Sequence, residues 1–164
     1  CRAWIEWGEA KGFVLEKLKQ TSFNAHRDNG RLAIDSPEVA AAIWERIRPV
    51  TPPHVEGRPA SGCNSNIRLY KYQPGQRFGK HIDQSNYLGE QGGTEYTVLL
   101  YLNGGVSGGE TVFYKDHNGE YEAARYAPTM GSALLHAHGQ RCLTHEGMEV
   151  TGGVKYVLRT DVAY

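Results

Sequence analysis

Leu69-Tyr70-Lys71-Tyr72-Gln73-Pro74-Gly75-Gln76-Arg77-Phe78-Gly79-Lys80-His81-Ile82-Asp83 is the stretch on which the fold turns. It reads as two strands, Ile67 to Gln73 and Phe78 to Asp83, joined by a turn at Pro74-Gly75. Side chains alternate along a strand, so His81 and Asp83 share a face. Two such ligands hold one edge of a metal ion. A third must come from elsewhere, and His145 is the best placed. Two histidines and one carboxylate on one face of an octahedral ion leave three positions open, an arrangement that suits non-haem Fe(II). An isolated His-x-Asp is a weak signal, because such pairs are common on surfaces. The flanking sequence carries the weight.

Downstream, the texture is one of short strands and glycine turns. Tyr96 to Leu102 is apolar on both alternating faces, which predicts a strand buried on both sides. Glu110 to Lys115 and Tyr121 to Tyr126 read as a strand and its return across a His117-Asn118-Gly119 turn. Ser132 to His136 and Lys155 to Val162 are further strands. Many short strands at regular intervals predict a jelly roll or barrel. Gln84 to Thr94, with Gly89, Gly92 and Gly93, reads as a mobile loop beside the site, of the kind that acts as a lid.

Upstream, residues 3–19 read as one or two helical stretches broken near Gly12. Phe23 to His26 and Leu32 to Ile34 flank Asn29-Gly30, a hairpin turn signal. Arg27 and Arg31 would sit at its tip, in a solvated turn or in a loop facing substrate. Asp35-Ser36-Pro37-Glu38 starts a helix: Ser36 caps, Pro37 takes the first helical position, and Glu38 meets the positive end of the dipole. Val39, Ile43 and Ile47 recur at helical spacing, and Pro49 ends the helix. The expected class is α+β: one domain over 1–164, with residues 1–60 as helical support and 61–164 as a jelly-roll, or double-stranded β-helix, core.

Length suffices for one domain with a real core. Net charge is zero at pH 7 and the pI is about 7.2, so no global basic field attracts nucleic acid. Charge is uneven, however: residues 1–82 hold 13 Lys and Arg against 8 Asp and Glu. Cys1, Cys63 and Cys142 are too few and scattered for a disulfide framework or a zinc site, and read as free thiols in a reducing compartment. No stretch is long and apolar enough to span a bilayer. With no visible signal peptide the cytoplasm is the expected compartment, although a chain starting at Cys1 reads as trimmed.

If iron sits on His81, Asp83 and His145, its open positions call for a bidentate ligand such as a 2-oxo acid. That ligand's other carboxylate needs a fixed cation. Lys155 lies ten positions after His145, and Val154, Tyr156 and Leu158 are apolar. Alternation then aims Lys155 into the barrel, with Val157 and Arg159 on its face. A buried lysine is costly unless an anion pairs with it, and a bound carboxylate would meet that cost. Taken alone, Lys155 reads as a strand-start lysine reaching solvent. Arg159 could reach substrate or pair with an acid. His136 and His138 share a face and could also ligate, but are read as supporting the site; His117 reads as solvated.

These residues resemble the Fe(II)/2-oxoglutarate-dependent dioxygenases of the prolyl 4-hydroxylase type. The likeness rests on Leu69 to Asp83, Thr97 to Asn103, Gly108-Gly109-Glu110-Thr111, and His145 to Lys155, which occur in the family's order. It covers residues 61–164 well. The resemblance implies that His81, Asp83 and His145 hold iron and that Lys155 binds the distal carboxylate of 2-oxoglutarate. It also implies that Tyr101 hydrogen-bonds 2-oxoglutarate and that Tyr72, or Tyr70, lines the same pocket. The same tyrosines read independently as core aromatics. Only His145 has a lysine at the family spacing, and His136 falls where the family has an apolar barrel residue. Implied cofactors are Fe(II), 2-oxoglutarate and O2, with ascorbate a candidate auxiliary. The implied reaction hydroxylates an unactivated carbon with release of succinate and carbon dioxide. A peptide or protein substrate is expected, with no nucleic-acid or membrane partner. Two alternatives are the same chemistry on a small molecule and a non-catalytic metal-binding jelly roll. A zinc hydrolase would need a general base for which the sequence offers no convincing residue.

Overall fold

The computed structural model describes residues 1–21, 24–89 and 92–164. Helix α1 (Arg2–Lys11) stops at Gly12, whose φ of 84° lies in the left-handed region. Strands β1 (Val14–Leu18) and β2 (Arg27–Asp35) follow, then α2 (Pro37–Ile47). The Ser36 hydroxyl accepts the Val39 N–H, the expected cap. A short ribbon, β3 (His54–Val55) with β4 (Arg58–Pro59), leads to β5 (Gly62–Cys63) and β6 (Asn66–Tyr72). The remaining strands are β7 (Phe78–His81), β8 (Thr94–Tyr101), β9 (Ser107–Gly108), β10 (Thr111–Tyr114), β11 (Glu122–Tyr126) and β12 (Ala133–Ala137). They end with β13 (His145–Gly147), β14 (Val150–Gly152) and β15 (Lys155–Ala163).

The strands form a curled antiparallel sheet in the order β11-β10-β13-β7-β2-β6-β15-β8-β12, with β1 on β2 and β5 on β15. This is the expected α+β double-stranded β-helix. One face of β2, β6, β15 and β8 packs on the helices. Ala40, Ile43 and Ile47 of α2 meet Ile67, Leu69, Val98, Leu158 and Val162 in one apolar cluster. The opposite face looks into the barrel. On β6 it carries Arg68, Tyr70 and Tyr72, and on β15 Lys155, Val157, Arg159 and Asp161. The alternation read from the sequence therefore sorts apolar residues to the helices and polar ones to the interior.

The N-terminal third departs from the sequence reading in two ways. Residues 14–18 form a strand, not a second helical stretch, and pair along β2 from Val14↔Arg31 to Leu18↔Arg27. Asn29-Gly30 is no turn: β2 runs straight through it, with Gly30 opposite Leu15 on one side and Lys71 on the other. The glycine answers a close approach rather than a positive φ, for a Cβ at Gly30 would stand 3.0 Å from the Phe13 Cβ. Phe23, the first residue of the expected hairpin, lies outside the described residues. The first sixty residues thus supply strands as well as helices, and β2 lies between β7 and β6. Arg27 and Arg31 share its inward face; Arg27 stacks on Phe78, and the Arg31 guanidinium donates to the Tyr70 hydroxyl at 3.2 Å.

The loop after Asp83 is tied at its base. Thr94 N–H donates to the Asn86 carbonyl, Asn86 N–H donates to the Thr94 hydroxyl, and Tyr87 bridges Gly93. Gln84 to Thr94 is described except for residues 90–91.

Candidate metal and 2-oxo acid site

β7 ends at His81, so His81 and Asp83 do not share one regular strand as the alternation suggested; Asp83 lies two residues beyond. β13 brings His145 directly opposite His81. The three donors still converge, lying within 4.8 Å of one another. His81 Nε2 is 3.6 Å from Asp83 Oδ1, and His145 Nε2 is 3.9 Å from Asp83 Oδ2.

Backbone carbonyls decide the tautomers of both imidazoles. His81 Nδ1 is 2.8 Å from the Gly79 oxygen and His145 Nδ1 is 2.9 Å from the Leu143 oxygen. A carbonyl only accepts, so each Nδ1 carries the proton and each Nε2 presents a lone pair toward Asp83. Burial, aided by His145, depresses the His81 pKa to about 3, and burial also lowers that of His145. Two neutral lone pairs therefore face a carboxylate. The arrangement is repulsive until a cation stands between them, and the residues present fit a divalent metal.

Asp83 is firmly held. Burial alone would raise its pKa; the Arg159 guanidinium outweighs that and keeps it ionised. Arg159 reaches Asp83 Oδ2 at 3.0 Å and Oδ1 at 3.3 Å. It also pairs with Asp161, which in turn pairs with Arg68. The Thr97 hydroxyl donates to Asp83 Oδ2 at 2.7 Å. Its single proton being spent there, it accepts from His138 Nε2 at 2.8 Å, and His138 Nδ1 lies 3.1 Å from both the hydroxyl and the carbonyl oxygen of Thr94. A relay Thr94–His138–Thr97–Asp83 thus supports the carboxylate from behind. Cys142 Sγ accepts the Asp83 N–H at 3.2 Å.

Lys155 is 4% exposed and lies in the same cavity. Its Nζ donates to the Gly109 carbonyl at 2.6 Å and lies over the Tyr72 and Tyr101 rings at 5.2 and 5.7 Å. Among the described residues it forms no ion pair, and burial lowers its pKa to about 8, Glu110 partly opposing. It is a buried ammonium without an ion-pair partner among the described residues, which fits a ligand carboxylate.

Tyr70 and Tyr72 line the cavity, as expected of one or the other. Tyr101 faces inward, but its hydroxyl is 2.7 Å from that of Thr111, and it is Thr111 that lines the cavity. His136 also lines it, whereas His138 is closed off by its threonines. The sequence reading missed Thr97, Thr111 and Asp161. Asp161 was within reach, since it continues the inward row of Lys155, Val157 and Arg159; nothing local marks the two threonines.

An antiparallel double-stranded β-helix with this donor set at its mouth defines a metal-dependent jelly-roll enzyme. Residues 67–160 match the model of the 2OG-Fe(II) oxygenase superfamily, and the chain belongs to that superfamily. It is an Fe(II)/2-oxoglutarate-dependent dioxygenase, a family whose name carries the Fe(II), the 2-oxoglutarate and the O2. Among solved structures, the fold is similar to a viral collagen prolyl hydroxylase from Paramecium Bursaria Chlorella virus-1 in its 2OG complex. There the TM-score is 0.65 and identity 18%, over 99% of this chain and 88% of that one. It is also similar to a Trichoplax adhaerens prolyl hydroxylase in complex with a hypoxia inducible factor peptide fragment (TM-score 0.71, 18% identity, 99% and 75% covered). A third is a Pseudomonas putida prolyl-4-hydroxylase (TM-score 0.66, 18% identity, 99% and 83% covered). A search of curated proteins found no match. Among the described residues, no helix is long and apolar enough to cross a membrane.

Proposed function

We propose that the protein hydroxylates an unactivated carbon of a protein side chain, in the manner of a prolyl hydroxylase, releasing succinate and carbon dioxide. His81, Asp83 and His145 would hold Fe(II), and Lys155 would bind the distal carboxylate of 2-oxoglutarate. One observation carries the reading: two tautomer-locked imidazoles and an ionised aspartate converge in the cavity that also holds an ammonium with no ion-pair partner among the described residues. Bound Fe(II) with 2-oxoglutarate and O2 would supply the oxidising chemistry that no side chain offers.

The chain's own residues do the rest. Gly79 and Leu143 carbonyls fix which imidazole nitrogen faces the metal. Arg159 and Thr97 orient the aspartate. Lys155 meets an anion that offsets its burial, with Tyr70, Tyr72 and Phe78 walling out water. A peptidyl substrate is supported by the similarity in fold to prolyl hydroxylases, one of them in complex with a peptide fragment. A small-molecule substrate would use the same centre.

The test is anaerobic titration of Fe(II)-loaded protein with 2-oxoglutarate, followed by visible absorption, in wild type and Lys155→Ala. Wild type is expected to develop a weak metal-to-ligand charge-transfer band. The variant is expected to need at least roughly tenfold more 2-oxoglutarate, as loss of a charge-assisted hydrogen bond implies. No band in wild type with iron bound would overturn the reading. Proline-containing peptides that gain one oxygen atom by mass spectrometry would establish the substrate class.

A further inference from the structure

His136 lies on β12 and His138 one residue beyond its end, and the two meet opposite environments. His138 has a partner for each ring nitrogen. His136 has none: both nitrogens are shut off from solvent and unpartnered among the described residues. The residue is 9% exposed, its ring 5.3 Å from Phe113 edge-on and 4.4 Å from His145. Its Nε2 stops 3.7 Å from Asp83 Oδ2, beyond hydrogen-bond reach. An imidazole always carries at least one N–H, and a buried N–H left unpaired is destabilising. The residue lines the cavity shared by His81, Asp83, His145 and Lys155.

The missing partner is therefore an acceptor that arrives with the ligand. Direct coordination by His136 would consume one of the three open metal positions, all of which a bidentate 2-oxo acid and dioxygen require. A hydrogen bond consumes none. We propose that a ring N–H of His136 donates to the metal-bound carboxylate of the 2-oxo acid, so that the co-substrate is held at one end by Lys155 and at the other by His136. This rests on the function proposed above and adds a residue to it.

His136→Phe, His136→Leu and His136→Gln test it on the full chain, loaded anaerobically with Fe(II) and titrated with 2-oxoglutarate by the charge-transfer band. Phe and Leu are expected to weaken 2-oxoglutarate binding roughly tenfold or more, and Gln, which keeps an N–H, to recover part of it. The band should move to higher energy in Phe and Leu, because a chelate without the donor is more electron-rich at the carboxylate. Co(II) affinity without 2-oxoglutarate should stay at the wild-type value. The metal-free Phe variant should melt at or above wild type, since it removes two buried unpaired nitrogens; a merely structural histidine would lower the melting temperature. Wild-type 2-oxoglutarate binding in Leu overturns the proposal, and so does weakened Co(II) binding, which would make His136 a ligand. A wild-type protein that forms no band fails earlier, at the function itself, and Lys155→Ala would then differ from it in nothing.

Discussion

At the Asp83 end of the cavity, both carboxylate oxygens are met by Arg159, and Thr97 adds a hydroxyl backed by His138 and Thr94. At the Lys155 end, a fully buried ammonium has one carbonyl and two aromatic rings. The first end is organised by the protein before any ligand arrives; the second is incomplete without one. On the proposed function the contrast has a reason. A carboxylate that holds a metal would need one orientation whether or not the metal is present, so its supports would be part of the chain. A cation that recognises a co-substrate consumed at each turnover would be completed only by that ligand.

The largest effect expected from breaking this contrast is at Arg159. It neutralises both Asp83 and Asp161, each of which is buried. Arg159→Met removes the cation, leaving Asp83 uncompensated and Asp161 with Arg68 alone, for a loss of about 3–5 kcal/mol in unfolding free energy by denaturant titration. Arg159→Met/Asp83→Asn should recover part of it, because the carboxylate left without a cation is gone. A loss below about 1 kcal/mol, the range of an exposed ion pair, would show that the network does not hold Asp83.

How much of this was legible in the sequence follows from the range of the interactions. The interior row of β15 was readable as far as Arg159 because alternation is local: Tyr156 and Leu158 are apolar, Lys155 and Arg159 charged. Alternation says which face a residue takes but not what it meets there, so the Asp83 and Asp161 partners of Arg159, 76 and 2 residues away, stayed open. Tyr101 was placed at the pocket by the family resemblance, and its hydroxyl lies 2.7 Å from that of Thr111. The His81, Asp83, His145 and Lys155 pattern survived the early end of β7, because ligand convergence depends on the β7–β13 pairing more than on regular strand geometry. The N-terminal strands were misread for a physical reason. Asn-Gly signals a hairpin when the glycine is needed for its φ, whereas Gly30 is needed for the space that Phe13 fills. Nothing in residues 27–35 announces that both edges of β2 will be paired by segments far away in sequence.

At the other end of the cavity the sign reverses: removing the charge should help the empty protein. Lysine titrates ordinarily at 10.5, and Lys155 is pushed down to about 8 by burial. Below pH 8 it is charged in both folded and unfolded chains, and the folded state bears the full desolvation cost. Between about 8 and 10.5 the folded lysine is neutral while the unfolded one still binds a proton. The unfolded state then holds more protons, and stability rises with pH. Lys155→Met should therefore be more stable than wild type by about 2 kcal/mol at pH 7, and the gap should close as pH rises from 8 toward 10. Metal with 2-oxoglutarate should narrow it at pH 7 by stabilising wild type more than the variant. A variant less stable than wild type throughout would mean that the Gly109 hydrogen bond outweighs desolvation, and that the pocket is not poised for an anion.

The smallest expected effect returns to the Asp83 end and asks whether its supports act on the metal or only on the fold. Thr97→Val keeps the shape and removes the hydroxyl that donates to Asp83 and accepts from His138 and Arg159. Supports of this kind are worth about tenfold in metal affinity or somewhat more, so Co(II) titration should weaken by about that factor, close to 1.4 kcal/mol. Thr97→Ser retains the hydroxyl and should bind Co(II) as wild type does. If Val and Ser lose stability equally and neither loses metal affinity, the threonine is packing. The preorganisation of Asp83 would then rest on Arg159, and the difference between the two ends would reduce to one ion pair against none.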